Sequence, residues 1–280
     1  MRSVKSFIAA GAATLLSQAA FAADMAIAPP PAYAPAVVED FGGWYLRGDI
    51  GFSNQRVDRL NNALDVNNTS SVQRLNFNSA GIFGLGVGYK VNNWFRADVT
   101  GEYRGNSNFF GTDRITYVGG VGTDTYHATK NEWVVLANAY VDLGTWWCIT
   151  PFIGAGVGGA RVAINGFTDQ SIALNGGVGP ALPGLAFGDN VSKWNFAWAA
   201  HAGLAYKVNS NFTIELAYRY ISLGDAVTGS PIMGYDGTIR GTNFRIDNIT
   251  SHDLKLGVRW MLEPPIAPQP LTLPPLMRKG

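Results

Sequence analysis

The chain has 280 residues, of which 21 are basic and 20 acidic, so its formal net charge is +1. This balance argues against nucleic acid as a partner, because nucleic-acid binding needs a concentration of positive charge. Thirty-four glycines, 15 Phe, 11 Tyr and 8 Trp give the composition an all-β character. The single cysteine, Cys148, excludes an intramolecular disulfide.

The N-terminus has the pattern of a secretory signal peptide. Arg2 and Lys5 precede an apolar run, which ends in the small-residue sequence Ala-Phe-Ala of a cleavage site. Cleavage is predicted between Ala22 and Ala23, which removes residues 1–22. Removing Arg2 and Lys5 from the 21 basic residues leaves 19 against 20 acidic ones, so the mature chain has no long-range field to recruit a partner. The residue after the cleavage site is not cysteine, which excludes a lipoprotein.

The remaining sequence restricts how the mature chain could cross a membrane. No stretch of about 18 apolar residues follows the signal to form a transmembrane helix. Only helices and closed barrels satisfy every backbone polar group within a bilayer, so a membrane protein of this sequence must be a barrel. Proline-rich segments over 23–42 and 263–280 are predicted to be an extended periplasmic lead and tail. They flank a predicted barrel over 43–262.

Eight segments between these ends alternate apolar and polar side chains with a period of two. Each is roughly ten residues long, the length that a tilted strand needs to cross a bilayer. In the last segment, Leu254, Leu256 and Val258 point to one face and Lys255 and Arg259 to the other. The predicted strands are residues 44–53, 81–91, 94–104, 132–143, 150–160, 195–208, 212–221 and 251–262.

The connections between the predicted strands alternate between short and long. Short turns lie near residues 92, 146 and 210, and aromatic residues gather beside them. Polar loops of about 25 to 30 residues are predicted around 54–78, 105–131, 162–193 and 222–249. Short periplasmic turns and four long extracellular loops are typical of an outer-membrane barrel. We therefore predict an all-β fold, an eight-stranded antiparallel transmembrane β-barrel; a lipocalin-type barrel, the alternative, would place its apolar side chains inside.

The polar faces of the predicted strands carry charges of both signs, which are expected to form a network inside the lumen. An unpaired charge in a narrow lumen is costly, so these side chains should pair. An eight-stranded barrel is just wide enough for side chains to fill, which favours a salt-bridged plug over a polar channel with weak anion preference. The predicted network consists of Arg47, Asp49, Lys90, Arg96, Asp98, Glu102, Arg104, Glu132, Asp142, Lys207, Glu215, Arg219, Lys255 and Arg259.

Two short patterns suggest a bound cofactor or catalysis. Residues 154–159 formally match a Gly-x-Gly-x-x-Gly dinucleotide fingerprint, but no amphipathic helix follows, so small residues lining a narrow lumen are the preferred interpretation. The three histidines lack metal-ligand spacing. His201 with Glu215 or Ser222 could belong to a hydrolase, but the sequence places no nucleophile beside it. We predict no cofactor, no metal and no enzymatic activity.

One pair of residues is a candidate site for surface haem. Tyr126 and His127 are adjacent in the second predicted loop, and both residue types can ligate haem iron. Haem binding through this pair is kept as an alternative to a purely structural role.

The last predicted strand resembles an assembly signal, the pattern by which outer-membrane barrels are recognised. Together with residues 150–158, residues 251–260 are similar to the alphaproteobacterial outer-membrane β-barrel family, relatives of opacity-type and small porin-like surface proteins. The similarity covers residues 42–262. The family usually ends on Phe, whereas here the last strand ends on Leu and the tail follows. The residues of the signal are Lys255, Gly257, Trp260 and Leu262.

The resemblance implies a protein of the bacterial outer membrane. Its expected partners are outer-membrane lipid, lipopolysaccharide and the barrel-assembly machinery, and the proline-rich ends could touch the cell wall. The implied role is a structural outer-membrane protein, with or without slow small-solute permeability. Two alternatives stay open: a loop-mediated binding protein, either an adhesin or a haemin binder, and a true diffusion porin. Its oligomeric state is not predicted.

Overall fold

The computed structural model describes residues 42–62, 68–175, 180–241 and 243–262. The predicted signal peptide, its cleavage site, the proline-rich lead up to residue 41 and the tail from residue 263 lie outside the described residues. Within the described ranges, no helix is long and apolar enough to cross a membrane.

Thirteen β-strands make up the described part of the chain, and every pairing between them is antiparallel. In chain order they are β1 (Gly43–Arg56), β2 (Arg59–Asn62), β3 (Asn68–Phe77), β4 (Ala80–Lys90), β5 (Phe95–Tyr117), β6 (Gly120–Asp142), β7 (Ile149–Asn175), β8 (Leu182–Gly188), β9 (Val191–Lys207), β10 (Phe212–Val227), β11 (Ile232–Gly234), β12 (Ile239–Gly241) and β13 (Phe244–Met261).

Eight of these strands close into a ring. Their order around the ring is β1, β4, β5, β6, β7, β9, β10 and β13. The last strand returns to the first, with Tyr45 opposite Met261 and Arg56 opposite Thr250. Short turns join β4 to β5, β6 to β7 and β9 to β10 at one end of the ring, called here the short-turn end. The predicted eight-stranded antiparallel barrel is confirmed.

Side chains alternate between the lumen and the outer surface along the barrel strands. On β13, Lys255 is buried in the lumen, whereas Leu254 on the outer surface is 56% exposed. The same alternation on β1 buries Asp49 and exposes Ile50. These faces agree with the predicted ones, and they exclude the soluble alternative, in which the apolar face would be the inner one.

Aromatic side chains border the apolar outer surface at both ends. At the short-turn end, the ring centroids of Trp44 and Tyr89 are 5.3 Å apart. At the opposite end, Tyr103 and Trp133 have centroids 5.0 Å apart. We call the second border the outer girdle; it comprises Tyr103, Trp133, Trp198, Tyr218 and Tyr220.

The long connections correct the sequence-based prediction, because much of their length continues the sheet. β5 and β6 stay paired until Tyr117 lies opposite Gly120, and β7 continues to Asn175. The predicted loops over 105–131 and 162–193 are therefore largely strand. We call this part the strand extension; it comprises β2, β3, β8, β11 and β12, residues 105–131 of β5 and β6, and residues 162–175 of β7.

A bulge in β5 explains why the sequence pattern did not reveal the strand extension. The pairing register of β5 with β6 shifts between Arg104 and Ser107. Arg104 and Ser107 are both buried, and burial then continues at Phe109. Lumen-facing residues of β5 thus change from even to odd residue numbers. Side chains alternate regularly on each side of the bulge, but an alternating pattern extended through the bulge assigns the wrong faces beyond it.

Apolar side chains fill the lumen at the end that carries the strand extension. Tyr126, Phe167 and Phe244 have ring centroids 4.9 to 6.1 Å apart, and those of Phe77 and Phe109 are 5.1 Å apart. All five side chains are buried, and we call them the aromatic cap. Buried aliphatic side chains from the barrel strands extend the same cluster toward the middle of the lumen: Val134, Leu136, Ala160, Val162, Ala197, Ala199, Ile221 and Leu223.

Candidate functional site

Glycines on β4 and β7 make room inside the lumen for polar side chains. A Cβ added at Gly88 would collide with the Tyr45 ring and with Asp98. A Cβ added at Gly156 would collide with the Asn138 amide. Because β7 continues as a strand beyond these positions, the glycine-rich sequence serves packing and not a dinucleotide.

Arg47 of β1 joins several strands near the short-turn end of the lumen. Its guanidinium donates to Asp49 at 2.9 Å, to Asp98 of β5 at 2.8 Å and to the Tyr140 hydroxyl of β6 at 3.0 Å. Glu215 of β10 lies 3.6 Å from the same guanidinium. The side chain therefore contacts groups from four strands of the ring.

A second arginine, Arg96 of β5, shares the Glu215 carboxylate with Arg47. Arg96 lies 3.2 Å from Asp142 and 3.3 Å from Glu215, and its guanidinium sits 4.1 Å from the centroid of the Tyr140 ring. Arg259 of β13 pairs with Glu215 at 3.2 Å. One carboxylate of β10 is thus held by arginines from β5 and β13.

Ion pairs also cross the middle of the lumen. Arg219 of β10 contacts Glu102 of β5 at 2.7 Å and Asp253 of β13 at 2.7 Å. Lys255 pairs with Glu102 and lies 3.4 Å from Asp49. In the ring, β4, β1 and β13 separate β5 from β10, so the contact between Arg219 and Glu102 spans the lumen.

The layer nearest the strand extension is organised by Arg104. This guanidinium contacts Asp253 of β13 at 2.7 Å and Glu132 of β6 at 2.8 Å. Lys130 of β6 pairs with Glu132 and donates to Gln55 of β1. The Lys130 ammonium also lies close to the aromatic cap, so ionic layers and cap form one continuous filling.

Two lysines of the predicted network lie at the short-turn mouth. Lys90 and Lys207 line a polar pocket of about 250 Å³ there, together with Asp142, Arg259 and Thr213.

Sequence reasoning missed several lumen residues. Lys130 lay in a region predicted to be loop, although it continues the inward alternation of Glu132 on β6. Asp253 was detectable, because it shares the alternation that places Lys255 and Arg259 inward. Gln55 lies just beyond the predicted end of the first strand.

The candidate haem pair is separated by the fold, which corrects that hypothesis. Adjacent residues of a strand point to opposite faces. Tyr126 is buried in the aromatic cap, whereas His127 is exposed on the outside, with its ring centroid 5.1 Å from that of Phe110. The two side chains therefore cannot approach one haem iron from the same side.

The groups weighed as a hydrolase are not assembled either. His201 faces the lumen and lies 3.2 Å from the Asn138 amide oxygen. Glu215 is paired with arginines. Ser222 lies on the outward face of β10, next to the buried Ile221. Among the described residues, no group of three or more His, Cys, Asp or Glu side chains could hold a metal ion.

A closed ring of eight strands with an apolar, aromatic-bordered outside and a polar, filled inside defines a transmembrane β-barrel. The family model described as "Outer membrane protein beta-barrel domain" matches residues 8–261, and the chain belongs to this family. The protein is therefore located in the outer membrane. The short-turn end faces the periplasm, and the strand extension is extracellular.

Individual proteins and solved structures are similar to the chain at 30% sequence identity or less in the following cases. An uncharacterized protein of Brucella abortus (strain 2308) is 30% identical over 236 residues, which cover 78% of this chain and 79% of that protein. A Rickettsia prowazekii (strain Madrid E) protein whose name marks it as a candidate adhesin is 27% identical over 221 residues, covering 78% and 86%. The crystal structure of the outer membrane protein OprG from Pseudomonas aeruginosa matches with a TM-score of 0.43 and 12% identity, covering 80% of this chain and 98% of that one.

Proposed function

We propose that the protein is a non-conducting structural barrel that holds the strand extension at the cell surface. The observation that carries this proposal is the set of buried ion pairs across the lumen. Arg219 binds Glu102 and Arg104 binds Asp253, and all four side chains are at most 1% exposed. Solutes would have to pass through the space that these side chains occupy.

The lumen is closed twice along its length. The ionic layers fill its periplasmic and middle parts, and the aromatic cap fills its extracellular end. Barrels that carry an aqueous channel are typically wider, with 16 or 18 strands. Neither slow permeability nor free diffusion is expected from a lumen filled in this way.

Opening the lumen by thermal motion would separate buried charges. Breaking one buried pair so that a charge is left uncompensated typically costs about 3–5 kcal/mol. Several pairs share partners here, so a passage requires the loss of more than one. We therefore expect the closed state to dominate at equilibrium.

The decisive measurement is conductance of the refolded protein in planar bilayers. Protein that migrates as a folded, heat-modifiable species should give no stable current steps, while a diffusion porin reconstituted in parallel gives them. Stepwise conductance from the folded species would remove the non-conducting proposal.

Surface attachment is the second candidate, and a row of outward side chains on the strand extension favours it. Phe110, His127, Thr168, Phe187 and Met233 lie opposite one another on β5, β6, β7, β8 and β11. Phe110 and Phe187 are 48% and 45% exposed, beyond the outer girdle. Exposed aromatic groups of this kind are typical of binding surfaces. The name of the Rickettsia relative points in the same direction.

Cells that display the protein on their surface test this second candidate. If the row binds host surfaces, replacing Phe110 and Phe187 by Ser should lower attachment to epithelial monolayers at least fivefold. Ile239→Ser removes an even more exposed apolar side chain of the strand extension outside the row and should leave attachment unchanged. Equal loss in both variants, or no attachment by the wild type, would remove this candidate.

A further inference from the structure

The outer surface of the barrel contains a hollow of about 610 Å³. Its floor lies on β1, β4 and β5, where Gly48 and Gly101 occupy outward positions on either side of Leu85. Its extracellular end is the aromatic pair Tyr103 and Trp133 of the outer girdle. The hollow therefore runs from the middle of the membrane-facing wall to the extracellular interface.

The two glycines create the depth of the hollow. No atom of the described residues lies within 4 Å of a Cβ added at Gly101, and one added at Gly48 would only reach ordinary contact with Leu85 and Val258. Leu85 stands between the glycines and is 75% exposed. A Cβ at either position would not collide with any described residue. Packing within the protein therefore does not require these glycines, and their effect is to leave open space on the outer surface.

The position of the hollow determines the chemistry of its occupant. It is continuous with the wall that contacts hydrocarbon, and its walls include Ile50, Phe83 and Leu256. A flexible apolar chain fills such a space, and the outer girdle marks the depth at which that chain must join a polar headgroup. The occupant is thus an acyl chain of a lipid in the outer leaflet.

Polar groups beside and beyond the extracellular end of the hollow indicate the kind of headgroup. Arg161 of β7 lies opposite Trp133, and its guanidinium donates to Ser192 at 2.9 Å on the outside of the barrel. Asn106 and Asn131 form an exposed amide pair on β5 and β6, just beyond the outer girdle. A guanidinium suits a phosphate, and exposed amides suit sugar hydroxyls.

We propose that the hollow is a lipid site that holds one acyl chain of lipid A, with a lipid A phosphate against Arg161. Lipid A is the outer-leaflet lipid that combines acyl chains with a phosphorylated sugar. The apolar hollow suits the acyl chain, and the polar groups beyond the outer girdle suit the sugar and its phosphate. The site is separate from the filled lumen and does not depend on whether the barrel conducts or attaches.

Native mass spectrometry of the refolded chain in detergent tests the proposal. The probes are hexa-acylated lipid A and phosphatidylethanolamine, added in equal amounts. The wild type should retain one lipid A molecule in preference to phosphatidylethanolamine. Gly101→Leu fills the hollow and should lower lipid A occupancy at least fivefold. Arg161→Gln should lower the preference for lipid A over phosphatidylethanolamine while the hollow stays open.

Gly159→Leu is the matched control, because Gly159 is an outward glycine of β7 outside the hollow whose added Cβ makes only ordinary contact with Trp194. It should retain lipid A as the wild type does, and heat-modifiable migration shows which variants are folded. Gly48→Leu fills the hollow from β1 and replaces Gly101→Leu if that variant does not fold. Unchanged lipid A occupancy in the filled variants, or equal retention of both lipids by the wild type, would overturn the proposal. A dimer that Gly101→Leu abolishes would overturn it in favour of a second copy of the chain.

Discussion

Arg219 shows how strongly single residues of the lumen depend on one another. It is fully buried, and its charge is balanced by Glu102 and Asp253 from two other strands. A buried pair of this kind adds little stability compared with a well-packed apolar pair, but removal of one partner leaves the others uncompensated. Residue-scale effects in the lumen should therefore be large and non-additive.

Arg219→Met should lower the free energy of unfolding by about 3–5 kcal/mol, because two carboxylates lose their shared cation in a buried environment. Urea titration of the protein in lipid vesicles measures this loss. Arg245→Met removes an exposed pair with Asp225 at the extracellular ends of β13 and β10 and should have no measurable effect. Similar curves for wild type and Arg219→Met would mean that Glu102 and Asp253 are compensated in another way.

Asp225 gives the extracellular ends of β10 and β13 a pH dependence. The Asn248 backbone amide donates to its carboxylate at 3.0 Å, and this bond, followed by the hydrogen bond from Arg245, holds the pKa of Asp225 below its ordinary value of 3.8. A depressed pKa means that the stabilisation is present above the unfolded pKa and is lost as the pH falls through the folded one. The Asn248 amide resonance should therefore stay constant down to about pH 4 and shift only below the ordinary pKa. Asp225→Asn should abolish that shift; a midpoint above 3.8 in the wild type would refute the assigned bond.

At the scale of the strand, β10 illustrates what alternation alone can predict. Leu216 points outward and Glu215 inward, as the sequence pattern indicated. The same period of two predicted the long barrel strands and the inward position of most lumen charges. It succeeds because lipid outside and a polar interior inside require residues of opposite character at alternate positions. Beyond the bulge at Arg104 the rule failed on β5, since one extra residue exchanges the faces and moves Phe109 inside without a sign in the sequence.

The faces of β10 can be tested by a matched pair of arginine substitutions. Leu216→Arg places a charge against hydrocarbon near the middle of the membrane and should cost about 2–4 kcal/mol of folding free energy. Thr213→Arg faces the polar pocket at the periplasmic mouth and should cost clearly less. Urea titration in vesicles compares the two. A loss for Thr213→Arg as great as that for Leu216→Arg would show the faces to be wrongly assigned.

The paired strands of the extension predict slow hydrogen exchange. Backbone amides of residues 107–117 and 120–130 that bond across β5 and β6 should exchange at least tenfold more slowly than the amides of the turn at Val118 and Gly119. Exchange measured by NMR in micelles separates this structure from a mobile loop. Rates as fast as those of the turn would indicate that the hairpin is open in solution.

At the scale of the whole molecule, the barrel class follows from the sequence, but the filling of its extracellular end does not. Eight alternating segments and short turns sufficed for the ring. The aromatic cap joins Phe77, Phe167 and Phe244, which come from three of the connections that the sequence predicted to be loops. Their convergence depends on the long-range pairing of the strand extension, and local pattern contains no information on it.

The ion pairs that cross the lumen also constrain how the barrel can form. Arg219 and Glu102 are separated by 117 residues in the chain, and Arg104 and Asp253 by 149. A sheet that has not yet closed leaves these charges without partners, so a partly formed barrel is stabilised little by them. The final pairing of β13 with β1 then satisfies many groups at once. Insertion should therefore be an all-or-none event with a high entropic barrier, in which the pairing of β13 decides whether β1 is stable.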